Sequence, residues 1–413
     1  MPVLRPLSLY GILFISQFCF ASAARAADTP SGSELTLTEA EQLALAHAPA
    51  LERARADVVA AAEHQAYAGR LPDPQFTLSA INVPTNSFSL SQDSMTMVGF
   101  GMRQVFPPGH TRRLLTERAQ DELEGERLRM DIARRTLLKQ VRSIWLDLYF
   151  AETSQHLLAA QGEVEQRDIA AAEGRYRAVQ ESERTLLEAR ADLARLEERE
   201  ATRRAQAAQL RAQLARWIGP ASADALPASL PRLPVPAKQF DPSQHPEWRA
   251  VETTVTAAQA DVNIARQEYK PGVMVDVMYG VRQNFPDMVT AQVSIDMPIF
   301  TRNRQDRRLA RQVARESAAQ DDADDKRREL QATYEAVRAQ YDADDTRVHI
   351  AADQLLPNLR RQAELTASGF RRDQAELRKS RMRELDAELD LLRLRVDRAK
   401  TQAALLYLTG EKP

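Results

Sequence analysis

Cysteine is nearly missing from this chain: of 413 residues only Cys19 is one. It lies in an apolar amino-terminal stretch that reads as a targeting segment, so the mature chain is expected to carry no disulfide and no thiol metal site. A lipid anchor on Cys19 needs small residues before it, and Phe18 is bulky. Aromatic residues reach only 6% and glycines number 14, which argues against one thick globular core. Neither sign of charge dominates: 56 Lys and Arg stand against 58 Asp and Glu, interspersed, so no nucleic-acid surface is expected. After the amino-terminal segment no apolar run approaches the ~18 residues of a spanning helix. Any membrane crossing must then use strands. No Walker loop, dinucleotide fingerprint or nucleophile elbow is present, and the six histidines lack ligand spacing. The acidic pairs Asp321-Asp322, Asp324-Asp325 and Asp344-Asp345 read as solvated helix surface. No enzymatic activity and no cofactor are expected.

What is present begins with that targeting segment, residues 1–26. Arg5 supplies its positive end, Leu7 to Phe20 its apolar stretch, and Ala24-Arg25-Ala26 a small-x-small cleavage site. The rest reads as a duplication. Residues 27–219 form a first copy, 220–245 a proline-rich linker, and 246–413 a second copy. Each copy has a helix, a proline break, two alternating segments, a second proline break and a helical hairpin. Leu71-Pro72-Asp73-Pro74 corresponds to Lys270-Pro271-Gly272, and Phe106-Pro107-Pro108-Gly109 to Met297-Pro298. Gly219 and Gly410 stop the last helix of each copy.

The helices carry heptads. Leu186, Ala189, Leu193 and Leu196 step by three and four, and the frame resumes at Ala207, Leu210, Leu214 and Trp217. Leu385, Leu389, Leu392, Val396, Ala399, Ala403 and Leu406 do the same, as do Leu330, Tyr334, Val337, Tyr341, Val348 and Leu355, with Asp344 at one seam position. Taken alone, these heptads favour an ordinary soluble coiled coil. His110 to Glu173 reads as one rod of about 64 residues, ~95 Å long at the helical rise. Thr301 to Gly369 reads as a similar rod bent at Pro357. The two shorter helices of each copy, summed, are expected to match the rod beside them, as in a cylinder wall.

Strands are expected at about 74–83 and 95–106 in the first copy, and 273–282 and 288–297 in the second. Val273, Val275, Val277, Tyr279 and Val281 alternate with Met274, Asp276, Met278, Gly280 and Arg282. Val289, Ala291, Val293 and Ile295 alternate with Thr290, Gln292, Ser294 and Asp296. Strands of this length, apolar on one side and polar on the other, suit lipid outside and water inside. Four strands cannot close a barrel, and open edges in lipid leave backbone groups unpaired. Several subunits must therefore share one barrel above one hollow helical cylinder. The fold class is mainly α, with long coiled-coil hairpins forming a periplasmic tube and four membrane strands per subunit.

These features, with the opening Leu37-Thr38-Glu39-Ala40-Glu41-Gln42-Leu43-Ala44-Leu45-Ala46-His47-Ala48-Pro49 and Arg175-Tyr176-Arg177-Ala178 near one helix tip, resemble the TolC-like outer-membrane efflux family. The resemblance implies a homotrimer with a twelve-stranded barrel in outer-membrane lipid. It also implies docking to a periplasmic adaptor (membrane fusion) protein and an inner-membrane efflux pump. Asn82-Val83-Pro84, Met95-Thr96-Met97 and Gln104-Val105-Phe106-Pro107 resemble the heavy-metal (CusC/CzcC-like) branch.

Two groups of residues are candidates for function. Arg175, Tyr176 and Arg177 at one tip, and Arg371, Arg372 and Asp373 at the other, would gate the periplasmic mouth or dock an adaptor; solvated turn charges are the plain alternative. Met95, Met97, Met274, Met278 and Met288 fall on the water-facing side, where thioethers suit Cu(I); adaptable apolar filler is the plain alternative. The competing readings of the whole are a periplasmic structural coiled coil and an adaptor subunit, both without a pore.

Overall fold

Proline, glycine and caps punctuate the helices much as the sequence places them. In the computed structural model, which describes residues 34–178, 182–237, 239–368 and 374–409, the first helix is α1 (Leu37–His47). Its cap is Thr36, whose hydroxyl accepts from the Glu39 amide at 3.2 Å. Helix α2 (Pro49–Tyr67) starts on a proline. Strands β1 (Gln75–Ile81) and β2 (Met97–Phe106) follow, then helices α3 (Thr111–Arg177) and α4 (Glu183–Ile218). The second half runs α5 (Pro246–Gln267), β3 (Gly272–Val281), β4 (Met288–Asp296) and α6 (Gln305–Ile350). One π-helical turn (Ala351–Leu355) leads into α7 (Leu356–Ser368), and α8 (Gln374–Thr409) closes the chain. The fold is mainly helical with one small sheet, and the element order recurs. The targeting segment and Gly410 lie outside the described residues.

Helix α3 is the backbone of the first copy, and α2 and α4 lie along its two halves. His64 Nδ1 is 3.0 Å from Glu122 on the upper half, and Arg211 Nε donates to Glu152 at 2.6 Å on the lower half. The expected equality of lengths fails here: α2 and α4 have 19 and 36 residues beside the 67 of α3. The missing turns are replaced at mid-height by α1. There Trp145 Nε1 donates to the Leu35 carbonyl at 3.1 Å and Arg142 pairs with Glu41 at 2.6 Å, all four residues buried. In the second copy, α5 and α8 have 22 and 36 residues beside an α6–α7 rod of 46, 5 and 13. The equality holds more nearly there.

The heptads are the seams. Leu186, Ala189, Leu196, Ala207 and Leu214 are buried in the first copy, and Leu385, Leu389, Val396, Ala399, Ala403 and Leu406 in the second. One position departs: Leu355 is 48% exposed while Leu356 is buried. The π turn accounts for it. An i→i+5 turn adds one residue to the helical ladder, which shifts the seam by one position. Pro357, which has no N–H to give to the preceding turn, follows directly. The seam is thus re-phased just before Pro357, where the bend is expected.

The linker is a strap. Leu35 N donates to Ala225 O (2.7 Å), Tyr149 Oη to Ala228 O (3.1 Å), Gln402 Nε2 to Pro234 O (2.6 Å) and Tyr334 Oη to Ala237 O (3.3 Å). Extended proline-rich backbone offers carbonyls without needing donors in return, so helix side chains from both copies bind it. It ends at His245, which caps α5 by accepting from Glu247 N at 3.3 Å. His245 is buried beside the Tyr407 carbonyl, and burial pushes its pKa down.

Candidate membrane sheet and helical tips

The four strands form one antiparallel sheet in the order β1-β2-β3-β4, with the two copies joined between β2 and β3. The register sorts the side chains. Phe76 pairs with Met102, Leu78 with Phe100, Phe100 with Tyr279, Met102 with Val277, Val275 with Val293 and Val273 with Ile295. Because side chains alternate, all of these share one face. That face is bare: Phe76 is 82% exposed, Leu78 71%, Val289 68% and Val293 62%. Its one polar member in the ladder, Gln104, sits at the helix end and donates to Pro72 O at 2.9 Å.

The opposite face is polar and glycine-lined. Thr77 pairs with Gly101, Ser79 with Gly99, Arg103 with Asp276, Asp276 with Gln292 and Met274 with Ser294. Arg103 Nε donates to both Asp276 oxygens, at 2.8 and 3.1 Å. The glycines admit methionines from the neighbouring strand. A Cβ on Gly280 would come within 2.5 Å of Met97 Sδ, and one on Gly99 within 2.7 Å of Met278 Sδ. Met97, Met274, Met278 and Met288 therefore share this face, but Met97 and Met278 fill holes over glycine. Met95 stands outside the strands in an exposed loop. Among the described residues no three His, Cys, Asp or Glu side chains are placed to hold a metal.

Strand ends differ slightly from expectation. β1 stops at Ile81, not Val83, because Asn82 takes a left-handed φ of 52°. Its side chain donates to Met95 O (3.3 Å), and Thr96 Oγ1 donates to Asn82 O (2.6 Å), which closes the loop and starts β2 at Met97. β3 and β4 each end one residue early, at Val281 and Asp296.

The opposite end of the molecule holds the tips. Arg175, Tyr176 and Arg177 form the last turn of α3. Arg177 lies 3.9 Å from Glu173, which Arg190 of α4 binds at 2.7 Å, holding the Glu173 carboxyl below its ordinary pKa. Tyr176 is exposed. Arg371, Arg372 and Asp373 lie outside the described residues.

Sequence reasoning missed the groups that tie one hairpin to the other. Arg381 of α8 donates to Asp168 of α3 at 2.6 Å. One turn away, Arg378 Nε faces Glu165 Oε1 at 3.7 Å, with both side chains buried. Neither Glu165 oxygen accepts a hydrogen bond, and burial raises its pKa. The signal was in the heptads: Leu158, Glu165, Ile169 and Ala172 step by seven, four and three, and Arg378, Met382, Leu385 and Leu389 by four, three and four. Each seam has one charged member, and the two meet.

The sheet has one bare apolar face, one polar face and two unpaired edges, and it stands on long helical hairpins. Residues 40–220 match the family described as outer membrane efflux protein. No curated protein sequence matches the chain. Solved structures of similar fold include VceC, an outer membrane protein of Vibrio cholerae (TM-score 0.74, 18% identity, covering 91% of this chain and 96% of that one). The MtrE outer membrane channel of Neisseria gonorrhoeae is another (0.71, 19%, 91% and 88%). CusC, studied for its transmembrane channel formation, is a third (0.75, 16%, 91% and 92%). At these identities the likeness is one of fold. The family match covers the first copy, and the likeness of fold extends over 91% of the chain.

Proposed function

We propose that this protein is the outer-membrane channel of a tripartite efflux system. It would be a passive conduit carrying substrates, metal ions among them, from a periplasmic adaptor and an inner-membrane pump to the outside. The observation that carries the reading is the sheet: its outer face is apolar and bare, and both β1 and β4 are edge strands. Unpaired edges in lipid are untenable, so β4 of one subunit pairs with β1 of the next. Three subunits make twelve strands. Arg103, Asp276 and Gln292 then face a water-filled lumen, and the hairpins continue it into the periplasm. Residues 1–26 direct export and are removed, and the mature chain comprises the two copies 27–219 and 246–413 joined by 220–245.

The tips are the gate or docking ring of this reading, with Arg175, Tyr176 and Arg177 on one side and Arg371, Arg372 and Asp373 on the other. Single-channel conductance of the detergent-purified protein in planar bilayers tests the whole. The expected result is a cross-linkable trimer that conducts ions, with conductance changed in an Arg175→Glu, Arg371→Glu variant. A water-soluble monomer that never conducts overturns the channel; an unchanged double variant overturns the gate alone. Copper tolerance of cells carrying Met-to-Leu changes at Met95, Met97, Met274, Met278 and Met288 tests the metal reading, and full tolerance overturns it.

A further inference from the structure

The two copies differ where the sheet hands over to the long helices. After β2 the chain reads Pro107-Pro108-Gly109-His110; after β4, at the corresponding place, it reads Pro298-Ile299-Phe300-Thr301. The first version builds the junction without apolar side chains, so the fold does not require Ile299 and Phe300. Yet both are in the open, at 73% and 87%, next to Met297 at 69%. Phe300 is the most exposed large apolar side chain among the described residues. A tight turn and a 3-10 turn hold the segment in place: Ile299 N donates to Met297 O at 2.9 Å and Arg304 N to Thr301 O at 3.1 Å. Arg302 and Arg304 follow, both exposed, and no acid occurs from Met297 to Gln305.

We infer that Met297–Arg304 is a lipid anchor, with Ile299 and Phe300 in the acyl region of the inner leaflet and Arg302 and Arg304 on the phosphates of anionic phospholipid. This rests on the sheet lying in lipid, as proposed above. Three observations support this occupant. The segment continues the bare face of β4, from Val293 and Ile295 into Met297, so it lies where that face meets the helices. Its order, apolar first and cationic next away from the sheet, matches the order of acyl chain and phosphate across a leaflet. Its net charge is positive in a chain otherwise balanced. Arg304 also borders a cavity of about 510 Å³ in which Lys270 and Arg308 are balanced by Glu268 and Asp296, so Arg302 and Arg304 carry the excess positive charge of this junction.

The test uses the full chain reconstituted in vesicles containing phosphatidylcholine brominated near the headgroup end of its acyl chains. Tryptophan emission is read for Phe300→Trp, for Val293→Trp on the strand face and for Val235→Trp in the strap, each against the unsubstituted protein. Roughly half the emission of the first two is expected to be lost, and almost none of the third. Quenching at Val293→Trp but not at Phe300→Trp overturns the anchor while leaving the channel intact; that is also the outcome if a neighbouring subunit covers the segment. Quenching at neither overturns the channel reading itself. Adding brominated phosphatidylglycerol is expected to deepen quenching at Phe300→Trp, and Arg302→Gln with Arg304→Gln to abolish that gain. No gain with the anionic lipid overturns the headgroup contact.

Discussion

The hairpin of the first copy and that of the second follow one plan with different seams. In the first, α3 runs 67 residues unbroken, and its burial concentrates at mid-height, where Trp145, Leu146, Leu148 and Leu214 have no exposed surface. In the second, the rod is broken by a π turn and carries a buried aspartate. Asp344 accepts from Gln340 Nε2 at 2.7 Å and from Thr401 Oγ1 at 3.0 Å. A long helical pair thus tolerates a charge in its seam when its own and the partner helix supply donors, and shifts its phase by one extra residue. Stability is pooled in the first copy and spread in the second.

If that contrast is right, the largest loss comes from the pool. Trp145→Ala removes a ring stacked on Tyr149 and the hydrogen bond to Leu35, and is expected to cost about 4 kcal/mol. Tyr334→Ala, which loses its stack on Phe240 in the second copy, is expected to cost less, about 2–3 kcal/mol. Thermal unfolding followed by helical circular dichroism ranks them, and the reverse order contradicts the contrast.

Next in size is the tie between the copies. Arg378→Met leaves the Glu165 carboxylate buried without a counter-charge, at an expected cost of about 3 kcal/mol. Adding Glu165→Leu is expected to return stability to near the parent value, since two packed apolar side chains replace two desolvated charges. A double variant as weak as the single one shows that the pair contributes more than it costs to bury.

These variants also mark what was readable beforehand. Strand positions, heptads and the repeat were legible because they are periodic, and period is a property of the chain alone. The match of Arg103 with Asp276 was not, because register across β2 and β3 depends on which strand lies beside which. The Leu355 assignment failed for a local reason: a strict heptad assumes an uninterrupted i→i+4 ladder, and the π turn before Pro357 breaks it. Glu165 and Arg378 stood in plain view at seam positions, but each looks like a flaw until the other is placed opposite. Of the candidate methionines, Met97, Met274, Met278 and Met288 share one face of the sheet and Met95 lies in the loop before β2, while the packing of Met97 and Met278 over Gly280 and Gly99 depends on register and could not be seen.

A moderate effect is expected at Asp344. Asp344→Ala removes the acceptor of Gln340 and Thr401 inside the second seam, and about 2 kcal/mol should be lost. Asp344→Leu with Thr401→Val replaces both partners by apolar groups and is expected to recover most of that loss. Failure to recover means that the seam is shaped around the carboxylate.

The smallest expected effect is a pH slope in which the copies act against each other. His245, at the joint of α5 and α8, is pushed below its ordinary 6.5 by burial. As pH falls through 6.5 the unfolded chain therefore takes up the proton first, so this contribution is whole above 6.5 and declines as pH drops toward the folded value. Glu165, on α3, is raised above its ordinary 4.5, so its contribution is whole at low pH and is lost as pH rises through the folded value. His245→Asn keeps an acceptor at the α5 cap and cannot titrate, so acidification from neutrality is expected to destabilise it less than the parent. Glu165→Gln removes the opposing contribution, so mild acidification is expected to destabilise it more than the parent. Urea unfolding of the detergent-solubilised protein across that range reads both slopes. Parallel curves for all three proteins show that neither group changes its protonation between the folded and unfolded chain.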